Sequence, residues 1–195
     1  MIFKKNLLKK IIKKIKGVEK MSIRNSRITQ DFAKLKKLLK QGTIIQLKPF
    51  NPKKKSIDHL AITIKGPKGT AYAGGLFKLE MRFPAQYPKK PPFVRLHTPI
   101  WHPNFWAKPS EYKGQRNICL ALVDPSLTGK KGGWSPSKTA NTVVQAIIAM
   151  LNTRGKYVNP TDVFNKKAAI EMMKDPKLFD KKVKSLVKKY AKDKW

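Results

Sequence analysis

The chain has 195 residues, of which 44 are lysine or arginine and 11 are aspartate or glutamate, so its formal net charge is +33. This length predicts one domain with extensions, and a hydrophobic fraction of 41% is enough for a core. The charge predicts attraction to nucleic acid, an anionic membrane or an acidic protein surface. A single cysteine excludes an internal disulfide and suits a reducing interior such as the cytoplasm. No stretch reaches the roughly 20 apolar residues that a membrane span requires.

Residues 1–20 predict a basic amphipathic helix, because apolar residues and lysines fall on opposite faces at helical spacing. The apolar face holds Leu7, Leu8, Ile11, Ile12, Ile15 and Val18. Such a segment is a tail, a helix that packs on the domain, or a helix that lies on an anionic membrane, and its pattern alone does not decide among them. We interpret residues 1–21 as an N-terminal extension and residues 22–195 as the domain.

A helix and four strands are predicted next. Ser26 is the predicted cap of a helix over about residues 27–40. Four stretches with alternating or β-rich sequence follow at 43–47, 60–65, 77–83 and 93–96. Because short connections join them, they predict an antiparallel meander with one face toward solvent.

Helices are predicted again at the C-terminal end. Ser135 is the predicted cap of a helix with Pro136 at its first position, a short helix is predicted over 164–173, and Asp175 and Pro176 begin the last one. The last helix is predicted to face inward through Phe179, Val183, Leu186, Val187 and Tyr190. The predicted fold class is therefore α+β, with an N-terminal helix, a four-stranded antiparallel sheet, an irregular segment and C-terminal helices.

The irregular segment, residues 98–134, contains Cys119 among many prolines and glycines. Long segments of this kind inside a compact domain are uncommon and are often functional. Cys119 lies between Ile118 and Leu120, so it is either a small core residue or a nucleophile. The composition alone leaves both interpretations open.

Several other chemistries can be weighed against the sequence. His59, His97 and His102 do not combine with Cys119 in a zinc-ligand spacing, and residues 66–70 lack the ending of a phosphate loop, so no metal or cofactor is expected. A thiol hydrolase would use His102 or His97 as the base for Cys119, and the sequence does not exclude it. Nucleic-acid binding would be a side activity, because the positive charge is spread along the chain.

A series of short motifs between Arg27 and Tyr190 resembles the ubiquitin-conjugating enzymes. Each motif is weak alone, but their order is highly specific. They are Gly66-Pro67, Gly69-Thr70, Tyr72, Gly74-Gly75, Phe83-Pro84, Tyr87-Pro88, Pro91-Pro92, His102-Pro103-Asn104, Ile118-Cys119-Leu120, Trp134-Ser135-Pro136, Asn159-Pro160 and Asp162. The fold of that family has the order of elements predicted above.

The resemblance implies that Cys119 accepts ubiquitin, or a ubiquitin-like protein, from an activating enzyme as a thioester and passes it to a lysine or to a ligase. Asn104 would stabilise the oxyanion or hold the active-site loop, and both roles stay open. Asp162 would orient or deprotonate the incoming lysine, and His102 would support the loop. A non-catalytic scaffold on the same fold is the alternative, although the inactive variants of the family lack the cysteine.

The resemblance also implies a docking surface for a RING-type ligase, formed by the first helix, the loop before Pro91-Pro92, and the loop at Ser135 and Pro136. Arg27 is expected to meet the activating enzyme and an acidic ligase surface. Lys89 stands where many members have an apolar residue, which would weaken the binding of some ligases or select an unusual one. Residues 105–116 and 124–133 extend the family pattern and are expected to border the active site.

Overall fold

The computed structural model describes residues 2–54, 56–106, 117–152 and 163–195, and of residues 2–20 it describes the backbone alone. The helices are α1 (Ile2–Lys40), α2 (Ala140–Asn152), α3 (Lys166–Lys174) and α4 (Pro176–Tyr190). The strands are β1 (Ile44–Pro49), β2 (His59–Lys65), β3 (Leu76–Arg82) and β4 (Phe93–Leu96). This order confirms the predicted α+β class. Within the described ranges, no helix combines the length and the apolar character needed to cross a membrane.

The four strands form one antiparallel sheet in the order β1-β2-β3-β4. Alternate residues of each strand point into the core, because successive side chains lie on opposite faces of a strand. The buried face consists of Leu60, Ile62, Ile64, Phe77, Leu79, Met81, Val94 and Leu96, each at most 1% exposed. The predicted meander is therefore confirmed, but the expectation that its other face lies toward solvent is wrong at Ala61 and Thr63, which are 1% and 0% exposed because other parts of the chain cover them.

A bulge interrupts β1. Ile44 pairs with Ile64 on the core face, but Gln46 pairs with Thr63 on the outer face, which leaves Ile45 as an extra residue. An extra residue reverses the side on which the following side chains lie. The bulge therefore buries Ile44 and still places Gln46 and Lys48 on the outer face of the sheet.

Helices cover the core face. α1 contacts α2 and β1 and buries Ile28, Leu35 and Leu38. The apolar stripe predicted for α2 is confirmed, and its buried members are Ala140, Val143, Val144, Ile147 and Leu151. The core therefore lies between the sheet and these helices, and it continues to the buried residues Met172, Phe179 and Val183 of α3 and α4.

Two predicted helix starts are wrong. Ser26 lies inside α1, which already begins at Ile2, because the lysine- and leucine-rich residues before it favour a helix and need no cap there. α2 begins at Ala140 rather than after Ser135, and the hydroxyl of Thr139 accepts the N–H of Thr142 at 3.2 Å. The predicted boundary at residue 21 falls within α1.

The start of α4 is confirmed. Pro176 is its first residue, and the carboxylate of Asp175 accepts the N–H of Leu178 at 2.9 Å. Phe179 and Val183 are buried, as predicted. Tyr190 was predicted to face inward, and this is wrong: it is 42% exposed, whereas the next residue, Ala191, is 3% exposed and belongs to the core.

Candidate active site

Cys119 lies at the end of a short two-stranded ribbon. Phe105 and Ile118 form an isolated antiparallel bridge, the N–H of Cys119 donates to the carbonyl of Asn104 at 2.7 Å, and the N–H of Trp106 donates to the carbonyl of Asn117 at 3.1 Å. Phe105 and Ile118 are 0% and 1% exposed, so the ribbon is anchored in the core. The backbone from Asn117 to Cys119 is thus fixed by main-chain hydrogen bonds.

Asn117 ties this ribbon to the sheet. Its side chain is 1% exposed, donates to the carbonyl of Leu96 at 2.6 Å and accepts the N–H of Leu96 at 2.9 Å. The amide thus pairs with the end of β4 as a neighbouring strand would. No role was predicted for Asn117, because its pairing with Leu96 joins residues that are far apart in sequence.

Cys119 itself is partly exposed, in contrast to the buried Ile118. After Leu120 the chain forms 3-10 turns at Ala121–Val123 and Pro125–Leu127. Partial exposure favours the interpretation as a nucleophile over that of a sealed core residue.

His102 is 1% exposed, and hydrogen bonds occupy both of its ring nitrogens. Nδ1 accepts the N–H of Asn104 at 3.0 Å, so Nε2 carries the hydrogen and donates to the carbonyl of Met150 at 3.0 Å. Burial lowers the pKa of His102 to about 4, although the bond to Met150 acts in the opposite direction. A ring held in this way has no nitrogen left to accept the proton of the Cys119 thiol.

His97 does not serve as that base either. Its Nε2 lies 2.8 Å from the Glu80 carboxylate, on the outer face of the sheet. The thiol hydrolase hypothesis therefore finds no base among the two histidines that were considered for it.

The segment before α3 contacts the same ribbon. The N–H of Asn165 donates to the carbonyl of Pro103 at 2.9 Å, and the rings of Trp106 and Phe164 lie 5.2 Å apart. The side chain of Asn165 also caps α3 by accepting the N–H of Ala168 at 3.0 Å. The predicted site residue Asp162 lies outside the described residues.

Comparison with known proteins decides the family. The model of the ubiquitin-conjugating enzyme family matches residues 27–187. The chain belongs to this family. It is 32% identical over 134 residues to ubiquitin-conjugating enzyme E2 14 of Schizosaccharomyces pombe, covering 69% of this chain and 76% of the relative. It is 33% identical over 141 residues to ubiquitin-conjugating enzyme E2 13 of Arabidopsis thaliana, covering 69% and 78%.

A solved structure agrees. The E2 domain of a Toxoplasma gondii ubiquitin conjugating enzyme superposes with a TM-score of 0.65 at 28% identity, covering 86% of this chain and 99% of that domain. The chain is therefore a ubiquitin carrier with the fold of a ubiquitin-conjugating enzyme. Ubiquitin, an activating enzyme and a ligase are the general partners of that family.

In this ubiquitin-conjugating enzyme, Arg27 of α1 contacts the loop that contains the predicted docking residues Ser135 and Pro136. The Arg27 guanidinium donates to the carbonyls of Pro136 at 2.9 Å and Lys138 at 2.5 Å, and to the Asp31 carboxylate at 3.2 Å. The Tyr87 hydroxyl donates to the same carboxylate, which is 0% exposed. Arg27 therefore joins α1 to the loop after Trp134.

Other predicted docking residues are open to partners. Lys89 and Pro136 are exposed, and Ser135 is partly exposed. The indole N–H of the fully buried Trp134 donates to the carbonyl of Pro88 at 2.7 Å, which joins the loop of Lys89 to that of Ser135. The two loops are thus held side by side.

The extra loop 124–133 has a defined shape. The N–H of Gly129 donates to the carbonyl of Trp134 at 2.7 Å, which closes the loop. A Cβ on Gly133 would lie 1.8 Å from the carbonyl oxygen of Leu127, so only glycine fits there. Residues 107–116 of the other extra stretch lie outside the described residues.

The part of the chain that the structure describes contains no group of three histidine, cysteine, aspartate or glutamate side chains that could hold a metal ion.

Proposed function

We propose that Cys119 is the residue that carries ubiquitin. Its thiolate attacks the carbonyl carbon of the thioester between ubiquitin and the activating enzyme, a new carbon–sulfur bond forms, and the thiolate of the activating enzyme leaves. The observation that carries this proposal is the partial exposure of Cys119 at the end of a ribbon clamped by the backbone of Asn104. A scaffold without catalysis has no comparable support.

The two steps of the reaction differ in what they need. At pH 7, ionising a reference thiol of pKa about 8.5 costs about 2 kcal/mol, whereas deprotonating a reference lysine of pKa about 10.4 costs about 4.6 kcal/mol. Thioester exchange therefore proceeds without a histidine base, which agrees with the occupied nitrogens of His102. Attack by lysine is the step that needs positioning, and Asp162 is proposed to orient that amine.

Asn104 has two proposed roles. Its backbone carbonyl accepts the N–H of Cys119 at 2.7 Å, and its backbone N–H donates to His102 at 3.0 Å, so its main chain holds the loop. Its side-chain amide is proposed to donate to the oxyanion that forms when an amine attacks the thioester. Asn104→Ala should then slow transfer to lysine and leave charging of Cys119 within about threefold.

A charging assay tests the proposal. With activating enzyme, ubiquitin and Mg-ATP, the wild-type chain should form an adduct that a reducing agent cleaves. Cys119→Ala should form none, and Cys119→Ser should form an oxygen ester that resists the reducing agent. Retention of a thiol-sensitive adduct by Cys119→Ala would overturn the proposal. Repeating the assay with ubiquitin-like proteins and their own activating enzymes identifies the modifier.

The proposed partners and location follow from the same residues. Lys89, Ser135 and Pro136 are proposed to contact a RING-type ligase, with Arg27 holding the loop behind them. A thiol nucleophile must stay reduced, so the cytoplasm is the proposed location. Residues 1–21 are proposed to be an extension that lies outside the catalytic unit.

A further inference from the structure

The segment that follows α4 folds back over the outer face of the sheet. The N–H of Leu76, at the start of β3, donates to the carbonyl of Ala191 at 2.8 Å. Ala61 and Thr63 point to this outer face, yet they are 1% and 0% exposed. Small side chains on the open face of a sheet are buried so completely only where other parts of the chain cover them. Trp195 lies over this region.

Each polar group of Trp195 has a partner on β1 or β2. The indole N–H donates to the carbonyl of Ile62 at 2.9 Å, and the backbone N–H donates to Oε1 of Gln46 at 2.9 Å. Nζ of Lys48 donates to the backbone oxygen of Trp195 at 3.0 Å. Three groups of the sheet thus form hydrogen bonds with Trp195. The bond to the indole N–H favours tryptophan over phenylalanine, which has no such donor.

Aromatic rings form the walls around the indole. The centroids of Phe50 and His97 lie 5.2 Å and 4.7 Å from it, in edge-to-face orientations of 73° and 64°. Phe50 is stacked on His59 at 4.2 Å. Edge-to-face pairs at these distances are favourable beyond the area they bury.

The walls are held in place by groups other than Trp195. Nε2 of His59 lies 2.8 Å from Oε1 of Glu80, and Nε2 of His97 lies 2.8 Å from Oε2 of the same carboxylate. Both rings are therefore oriented by a single carboxylate beneath them. The bulge in β1 brings Gln46 and Lys48 to the same face, and bulges commonly serve to re-aim side chains at functional sites. The groups that orient these walls thus belong to the sheet itself and not to Trp195.

We propose that the outer face of the sheet is a binding site for a tryptophan-bearing extended segment, and that Trp195 occupies it as an exchangeable ligand of the same chain. Residues 191–194 are the whole tether after α4, so the effective concentration of Trp195 is of millimolar order. A tryptophan segment of a partner protein enters only when Trp195 leaves. None of the residues of this site belongs to the ribbon around Cys119, so the site is separate from the residues proposed for ubiquitin transfer.

Peptide binding tests the proposal. The probe is a fluorescein-labelled peptide, Ala-Lys-Asp-Lys-Trp-amide, whose anisotropy is measured against the full chain. Trp195→Ala should bind this peptide at least tenfold more tightly than the wild-type chain, because the tethered competitor is gone. Lys194→Ala, an exposed neighbour in the same tether, should behave like the wild type. A peptide with alanine in place of tryptophan should not bind.

A second substitution locates the site. In the Trp195→Ala background, His97→Ala should weaken peptide binding at least fivefold. The proposal is overturned if Trp195→Ala keeps its melting temperature and its ubiquitin charging but does not bind the peptide, since Trp195 is then a fixed structural contact. If Trp195→Ala fails to fold, Trp195→Leu retains an apolar cover without the indole N–H. The peptide must then bind that variant more tightly than the wild type, or the proposal falls.

Discussion

His102 joins the active-site loop to α2 through a ring that must stay neutral. Its Nδ1 accepts from Asn104 and its Nε2 donates to Met150, so protonation of Nδ1 would break the first bond. Burial lowers its folded-state pKa from 6.5 to about 4. The unfolded chain therefore binds a proton between pH 6.5 and 4 that the folded chain does not, and the free energy of unfolding falls as pH is lowered through this range.

We predict that His102 makes wild-type stability fall by about 1 kcal/mol per pH unit between pH 6 and 4.5. His102→Gln keeps a neutral donor at this position and should lose that part of the slope. Urea unfolding at three pH values measures this slope for both chains. Subtracting one slope from the other removes the contributions of the other titrating groups. Parallel slopes for the two chains would contradict the assignment.

Arg27 was predicted to contact partner proteins, but its guanidinium forms hydrogen bonds within the chain. Its guanidinium donates to two carbonyls and one buried carboxylate, a geometry that lysine cannot reproduce. Removing Arg27 would leave the Asp31 carboxylate buried with only Tyr87 as its hydrogen-bond donor among the described residues, and unpaired buried charges typically cost about 3–5 kcal/mol.

We therefore predict that Arg27→Ala lowers the free energy of unfolding by about 3 kcal/mol and that Arg27→Lys recovers less than half of this loss. Lys34→Ala, at an exposed position of the same helix, is the matched control and should change stability by less than about 0.5 kcal/mol. Urea unfolding of the three variants decides. An effect of Arg27→Ala as small as that of the control would mean that Arg27 acts only at the surface.

At the scale of elements, strands were easier to predict than helix starts. Alternation follows directly from which face of a strand is buried, so the four strands were placed within two residues of their bounds. A cap is a local preference that tertiary contacts override. Ser135 has the cap sequence, but the carbonyls of Pro136 and Lys138 accept from Arg27, and α2 begins only at Ala140. The bulge after Ile44 was not predicted either.

Loop 124–133 is an element whose function can be separated from charging. It begins five residues after Cys119 and is closed by the bond between Gly129 and Trp134. Thioester exchange needs only the sulfur and the tail of the modifier, whereas attack by lysine needs a positioned acceptor. We predict that shortening this loop slows discharge to lysine at least fivefold and leaves charging of Cys119 within about twofold.

Single-turnover gels that follow charging and discharge separately measure both rates. Gly133→Ala serves as a second variant, because its Cβ would overlap the carbonyl of Leu127 and distort the loop without shortening it. Like the shortened loop, Gly133→Ala should slow discharge to lysine more than charging of Cys119. Equal loss of both steps in both variants would show that the loop supports the fold around Cys119 rather than the acceptor.

For the whole molecule, the fold class and the place of Cys119 in the irregular segment could be predicted from the sequence. Both depend on motif order and periodicity, which involve residues close together along the chain. The sequence did not predict contacts between distant residues. The pairing of Asn117 with Leu96 and that of Trp195 with Ile62 join positions far apart in sequence, and neither leaves a periodic signal. Asp162 was predicted from the motif alone and stays a prediction.

The charge of +33 belongs to no single site and acts on encounter with other proteins. Raising ionic strength from 0.01 to 0.15 M shortens the screening length from about 30 to about 8 Å, so attraction to an acidic activating enzyme weakens steeply. We predict that KM for the activating enzyme rises at least tenfold over this range while kcat stays within about twofold, because thioester exchange occurs after contact.

Discharge of charged Cys119 onto hydroxylamine, a small neutral nucleophile, provides the control and should be independent of salt. Steady-state charging at five salt concentrations gives KM and kcat separately. A flat KM would mean that the lysines face away from the enzyme that loads Cys119, and that their charge serves a different partner. A fall in kcat with constant KM would instead place the effect of salt on the ionisation of Cys119, which nearby lysines favour only within about 8 Å at physiological salt.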